Sequence, residues 1–312
     1  MNKAIELIGA PTDVGAADRG ASMGPEALRV AGIAQSLGAR GYTVLDKGNL
    51  QGPNVVNSYT KDGYRNLDEV LSWNTAVYES IRVSLSKGAI PILLGGDHSL
   101  AVGSVSAAAR HCVDEHKKLR VIWLDAHADF NTTVLSPSGN MHGMPLAFLC
   151  GLGQPKLSAL SGHAPAILPE MIRQIGIRSV DDGERRLIHE LGIEVFDMRH
   201  IDEVGMRRTM QHALSDLGPD THLHVSFDVD FLDPAVAPGV GTTVQGGPTY
   251  REAQLCMEML HDTGLIGSVD IVELNPALDI KNKTAKVAVE LIESLFGKAT
   301  LIPQSKPTRI MN

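Results

Sequence analysis

A chain of 312 residues, 43% hydrophobic and 21% charged, can bury a large core, which argues against a disordered or low-complexity protein. Its 36 acidic residues against 28 basic ones leave a formal net charge of −8, and no basic patch with interleaved aromatics occurs, which argues against nucleic acid as a partner. There is no signal-like N-terminal stretch and no apolar run near the ~18 residues that cross a bilayer, so a cytoplasmic protein with no membrane partner is expected.

In chain order, a first strand is expected over 4–9, followed by a loop over 10–20. Pro25 suits the first turn of a helix, and Ala27, Leu28, Ala31, Ala34 and Leu37 share one face of it before Gly38 ends it. A short second strand over 43–45 leads into 48–65, a surface loop rich in Asn, Gly and Pro. Helical periodicity over 67–87 stops at Gly88, and a third strand over 90–94 runs into Gly95-Gly96-Asp97-His98-Ser99. A helix over 100–112 precedes a central strand, 120–124, whose residues lack polar alternation, as in a strand buried on both faces. A polar loop over 132–140 leads to His142-Gly143-Met144-Pro145. Further strands are expected near 171–177, 193–196, 223–227 and 266–272, with helices around 184–191, 200–217, 250–262 and 284–296. The widely spaced Cys112, Cys150 and Cys256 form no C-x-x-C and are expected to pack as small apolar residues in a reducing compartment. Eight strands alternating with helices predict right-handed crossovers and a mostly parallel sheet covered on both faces: an α/β, three-layer αβα sandwich. No linker or internal repeat divides the chain, so one domain over 1–312 is expected.

The chemistry gathers where strands end. In extended chain Asp125, His127 and Asp129 project to one side, with Ala126 and Ala128 on the other. A D-x-H taken alone is an ordinary solvated strand end. However, His98 follows the third strand and Asp228-Val229-Asp230 follows 223–227, so three polar clusters lie just past carboxyl ends, where open parallel sheets bind ligands. Four carboxylates and two imidazoles can hold two cations with carboxylates bridging. Without a thiolate the set favours Mn²⁺, with Fe²⁺ or Co²⁺ as alternatives, over structural zinc. Glu273 ends the last strand and is either a further carboxylate of this region or a capping acid. His142, on a glycine-flanked loop, is either a bystander or a mobile proton carrier. His222 and His224 lie deeper along their strand and are expected to be satisfied core histidines, while His111, His163, His189 and His261 are expected at the surface or in packing.

Gly95-Gly-Asp-His-Ser99, Asp125-Ala-His-Ala-Asp-Phe-Asn131, Ser138-Gly-Asn-Met-His-Gly-Met-Pro145 and Ser226-Phe-Asp-Val-Asp230 together resemble the ureohydrolases, specifically the arginase family. Asp233-Pro234, Pro238-Gly-Val-Gly-Thr242 and Gly246-Gly-Pro-Thr-Tyr-Arg-Glu252 continue the match across essentially the whole chain. The resemblance implies a single α/β domain with an eight-stranded parallel sheet and two Mn²⁺ per subunit. One ion would be held by His98, Asp125, Asp129 and Asp228, the other by Asp125, His127, Asp228 and Asp230. It further implies that Asn131, Ser138 and Asn140 hold an α-carboxylate, that Asp181 faces an α-amino group with Glu184 in the same shell, and that Thr242 joins the substrate-binding set. Ser179 departs from the acid expected two residues before Asp181.

The implied reaction is hydrolysis of L-arginine to L-ornithine and urea. A guanidinium carbon is a poor electrophile, and two cations can make a strong nucleophile by acidifying a shared water to a bridging hydroxide. Asp129 would pass a proton to the leaving nitrogen, His142 would shuttle protons, and Glu273 would add negative charge that welcomes a guanidinium. The alternatives are another ureohydrolase, such as an agmatinase or guanidinobutyrase, or a catalytically inactive regulatory homologue. A homotrimer or homohexamer is implied, with the tail over 302–312 as a candidate contact.

Overall fold

A computed structural model describes residues 4–55, 58–136 and 138–301, and statements of absence below concern these residues. Eight strands form one sheet: β1 Ile5–Gly9, β2 Val44–Asn49, β3 Ile90–Leu94, β4 Lys118–Leu124, β5 Ile172–Ile177, β6 Glu194–Asp197, β7 Thr221–Asp228 and β8 Ile266–Val272. Their spatial order is β2-β1-β3-β8-β7-β4-β5-β6, and every pairing is parallel. Both faces of the inner strands are covered, so β1, β3 and β7 are buried along their whole length, the polar Glu6, His222, His224 and Ser226 included.

The helices are α1 Gly24–Val30, α2 Ile33–Ala39, α3 Leu67–Ser86, α4 Ala101–Asp114, α5 Pro145–Leu149, α6 Pro155–Ser158, α7 Asp182–Leu191, α8 Met198–Val204, α9 Met206–Ala213, α10 Tyr250–Asp262 and α11 Lys283–Leu295. One face of the sheet packs on α1, α2 and α8–α11 through a core that includes Leu28, Ile122, Val225, Met257 and Leu291. The other face carries α3, α4 and α5 over two clusters, one around Trp73 and Phe148, the other around Trp123 and Phe130. None of these helices is long and apolar enough to cross a membrane.

The structure corrects several expected boundaries. The single helix over 25–38 is two, because Gly32 takes φ 90° and restarts the chain as α2. The helix over 200–217 is likewise split into α8 and α9 at Gly205, φ 81°. A right-handed helix cannot pass through a residue with positive φ. Strand β2 runs to Asn49 rather than Leu45; it is an edge strand with mostly exposed residues, so it carries no apolar signal. Within the expected loop, Thr60–Lys61 and Tyr64–Arg65 pair as a small antiparallel hairpin. The tail named above as a candidate contact lies outside the described residues. The three cysteines are free thiols, two of them buried, with burial pushing each up to about 12.

Candidate active site

Because strand order differs from chain order, β3, β8, β7, β4 and β5 lie side by side, and their carboxyl ends deliver residues from five distant stretches to one place. His98 comes from the turn after β3, Glu273 from just past β8, Asp228 and Asp230 from the end of β7, Asp125, His127 and Asp129 from the segment after β4, and Asp181 from the turn after β5. His98 Nδ1 stands 3.2 Å from Asp125 Oδ2, 3.1 Å from Asp129 Oδ2 and 3.0 Å from Asp228 Oδ2. His127 Nδ1 stands 3.0 Å from Asp230 Oδ2 and 3.6 Å from Asp125 Oδ1. Asp125 is thus shared by two groups of ligating type, His98–Asp125–Asp228 and Asp125–His127–Asp230. All but His127 are buried.

The backbone that presents Asp125, His127 and Asp129 is not the extended chain expected for them. Strand β4 ends at Leu124, and Asp129 takes φ 51°, a left-handed turn that folds its carboxylate back toward His98. Main-chain amides fix the rest. Asp125 Oδ1 accepts the His127 N–H at 2.6 Å, Asp228 Oδ1 the Asp230 N–H at 2.8 Å, and Asp230 Oδ1 the Ala126 N–H at 3.1 Å.

Burial and crowding dictate the electrostatics. Burial and the Asp125 charge raise the Asp129 carboxyl to about 7, and burial together with Asp230 raises Asp228 well above the carboxylate range. Burial would lower His127, yet the Asp230 and Asp125 carboxylates outweigh it and hold the imidazole up at about 12. His98 Nδ1 and Asp129 Oδ2 are buried with no hydrogen-bond partner. Orphaned ligating atoms among four mutually repelling carboxylates are what a pair of divalent cations would satisfy, so this donor set fits the expected metals.

Above this floor opens a pocket of roughly 210 Å³. Every expected substrate contact lines it: Asn131, Ser138, Asn140, Asp181, Glu184 and Thr242, together with His142 and Glu273. Glu273 Oε1 accepts the His98 N–H at 2.7 Å and lies 3.1 Å from His142 Nδ1. Burial opposes charge on His142, but Glu273 raises it to about 9. Asn131 Nδ2 donates to Asp181 Oδ2 at 3.2 Å, and Thr242 Oγ1 to Asp230 Oδ2 at 3.2 Å. Glu184 uses both oxygens on main-chain amides, those of Phe130 and Asp181, each at 3.0 Å, so it ties the N-terminus of α7 to the loop after Asp129. Ser179 also lines the pocket, and its backbone bridges to His127.

Sequence reasoning missed the supports. Trp123 stacks on the His98 ring with centroids 4.1 Å apart, and its Nε1–H donates to Asp125 Oδ2 at 2.9 Å. Ser226 Oγ meets His98 Nε2 at 2.9 Å. Both lie two residues before a ligand on the same strand, so carrying the period of two one step back would have found them. Arg178 was also missed; its guanidinium donates to the carbonyls of Gly176, Asp230, Phe231, Leu232 and Val244 and pins the loop after β7. His224 is a satisfied core histidine, with Nδ1 2.8 Å from Ser268 Oγ and Nε2 3.1 Å from Asp270 Oδ2, and buried His222 meets the same Ser268 Oγ at 2.9 Å.

Residues 3–297 match the sequence model of the Arginase family. The chain is 46% identical over 301 residues to the arginase of Bacillus subtilis (strain 168), covering 96% of this chain and 100% of that one. A crystal structure of B. subtilis arginase superposes with a TM-score of 0.90, again over 96% of this chain and 100% of that one. The native arginase structure from Bacillus caldovelox at pH 5.6 gives 0.91 at 43% identity, over 96% and 100% of the two chains.

Proposed function

The chain belongs to the arginase family, and from that premise we propose that it is a binuclear-manganese hydrolase that converts L-arginine to L-ornithine and urea. The observation that carries this reading is the convergence of six ligating side chains under a pocket whose rim holds polar groups suited to an α-amino acid. His98, Asp125, Asp129 and Asp228 would hold one ion, and Asp125, His127, Asp228 and Asp230 the other. When bound, the ions supply a strong nucleophile at neutral pH by acidifying the water they share.

The chain's own residues do the rest. Two divalent cations cancel the four aspartates, so Glu273, held on the pocket floor by the His98 N–H, is the remaining carboxylate there that attracts a guanidinium. Asn131, Ser138 and Asn140 orient the distant α-carboxylate, and Asp181 faces the α-amino group, which turns remote binding into alignment of the reacting carbon. Glu184 acts through Asp181, whose N–H it accepts. Asp129, whose left-handed turn brings its carboxylate to the pocket floor beside His98, relays a proton to the leaving nitrogen. His142 lies at the pocket wall beside Glu273 and carries protons between the site and solvent.

The same reading places a single-domain chain in the cytoplasm as a homotrimer or homohexamer, which sedimentation equilibrium would test. The activity test compares urea release from L-arginine and agmatine by the manganese-loaded protein. A kcat/KM at least a hundredfold higher for L-arginine is expected, and a preference for agmatine would move the chain to another branch of the ureohydrolases.

A further inference from the structure

At the end of the sheet opposite the aspartates, around the amino ends of β4, β5 and β7, lies a second cavity of about 450 Å³. Leu119, Met171 and Leu217 give it an apolar wall, while Lys117, Arg120 and Arg173 make it cationic in a chain of net charge −8. Arg120 is only 8% exposed. Its Nη2 meets Asp216 Oδ2 at 2.7 Å, but its Nε and Nη1 are buried with no hydrogen-bond partner among the described residues. Arg173 Nη2 reaches the same Asp216 oxygen at 3.4 Å, while its Nη1 donates to the carbonyls of Glu170 and Ile172 and its Nε stands 2.5 Å from Glu194 Oε2, so the open donors of the pair are those of Arg120. Burial and the Arg120 charge hold Arg173 below the ordinary arginine range. Unsatisfied buried guanidinium N–H groups are costly, and an anion entering beside Arg120 would meet the donors that Asp216 and Glu194 leave open.

Nothing in the aspartate site uses these residues. Arg120 and Asp125 are five positions apart on the line of β4, roughly 17 Å at strand rise, so the cavity lies at the other end of the strand that carries the ligands.

We propose that this cavity binds a small organic anion: a carboxylate on an apolar body of a few carbons, its head on the Arg120–Arg173 pair and its body against Leu119, Met171 and Leu217. A planar carboxylate matches the guanidinium fork, and the apolar wall selects against an inorganic anion, which would leave that surface unused. The net positive lining raises the local concentration of anions around an otherwise acidic protein.

Isothermal titration of the manganese-loaded full chain with hexanoate and with acetate tests this. One hexanoate per chain is expected, at least tenfold tighter than acetate, weakened tenfold or more by Arg173→Gln and severalfold by Lys117→Ala, and unchanged by Asp181→Asn in the other pocket. Lys117 is exposed, so that variant reports even if Arg173→Gln does not fold. The proposal is overturned if hexanoate gives no binding heat, binds no tighter than acetate, ignores the Lys117 and Arg173 changes, or changes in affinity with Asp181→Asn, which would place it in the aspartate pocket.

Discussion

Asp129 shows how one residue can be legible in a sequence while its behaviour is not. Its position in Asp125-Ala-His-Ala-Asp129 marks it as a ligand candidate, but its left-handed turn, and the burial and Asp125 charge that raise its carboxyl to about 7, arise only when the chain folds. In the metal-free protein a carboxyl with a folded value near 7 and an unfolded value near 4 is destabilising once ionised, and that penalty develops as pH rises between the two. Asp129→Asn, which mimics the protonated form, is therefore expected to melt higher than the metal-free parent at pH 8, with the difference vanishing toward pH 4. Calorimetric scans across that range check it. The same variant, manganese-loaded, is expected to lose roughly two to four orders of magnitude in kcat if the proton step belongs to this residue. Unchanged turnover would remove Asp129 from the chemistry.

At the scale of elements, the loops that end strands are built to close tolerances. The turn after β3 passes so near the first loop that a Cβ on Gly96 would sit 1.6 Å from the Thr12 carbonyl oxygen, a backbone atom that cannot swing aside. In the same turn Asp97 accepts the Gly15 N–H at 2.9 Å and the Ser99 N–H at 3.0 Å, and together these contacts aim His98. Gly96→Ala is expected to destabilise the protein by about 3 kcal/mol or more and to weaken manganese binding, read by urea denaturation and metal titration. Near-parental values for both would show that the turn can shift without moving His98. The strand-end motifs were legible because glycines, an aspartate and a histidine stand together after a buried apolar run. Trp123 and Ser226 share the parity of the ligands but, like Arg178, read equally well as ordinary packing or surface residues, because an aromatic, a hydroxyl or an arginine in or beside a strand carries no distinct signal.

On the scale of the whole molecule, the metals would act as part of the fold. Four buried aspartates and Glu273 face one another at the carboxyl edge of the sheet, and without cations their repulsion is met by protons held on His98, His127, Asp129 and Asp228. Chelation is expected to lower the melting temperature, and manganese to restore it progressively, by about 2.7 kcal/mol at a hundredfold excess over Kd. The sign with pH follows from the histidines. His98 lies above its ordinary range and His127 near 12 when no cation is present, so both stand as imidazolium and must give up protons when a metal arrives. Manganese affinity should therefore fall as pH falls, with proton release visible as buffer-dependent heats of binding. A pH-independent affinity would mean that these imidazoles are not ligands.

What the sequence determined by itself was local: which runs are buried strands, and which polar residues stand where those strands stop, because apolar runs and strand-end motifs are properties of a short window. The splitting of helices at Gly32 and Gly205 and the exposed edge strand β2 escaped it, since one depends on a single φ and the other on a missing neighbour. Only the tertiary structure decided that β3, β8, β7, β4 and β5 lie side by side, which brings His98 within hydrogen-bonding reach of Glu273 across 175 positions of chain. Strand order is chosen by long-range pairing and by the burial of both faces. Those terms act between segments far apart in sequence, and no local pattern contains them.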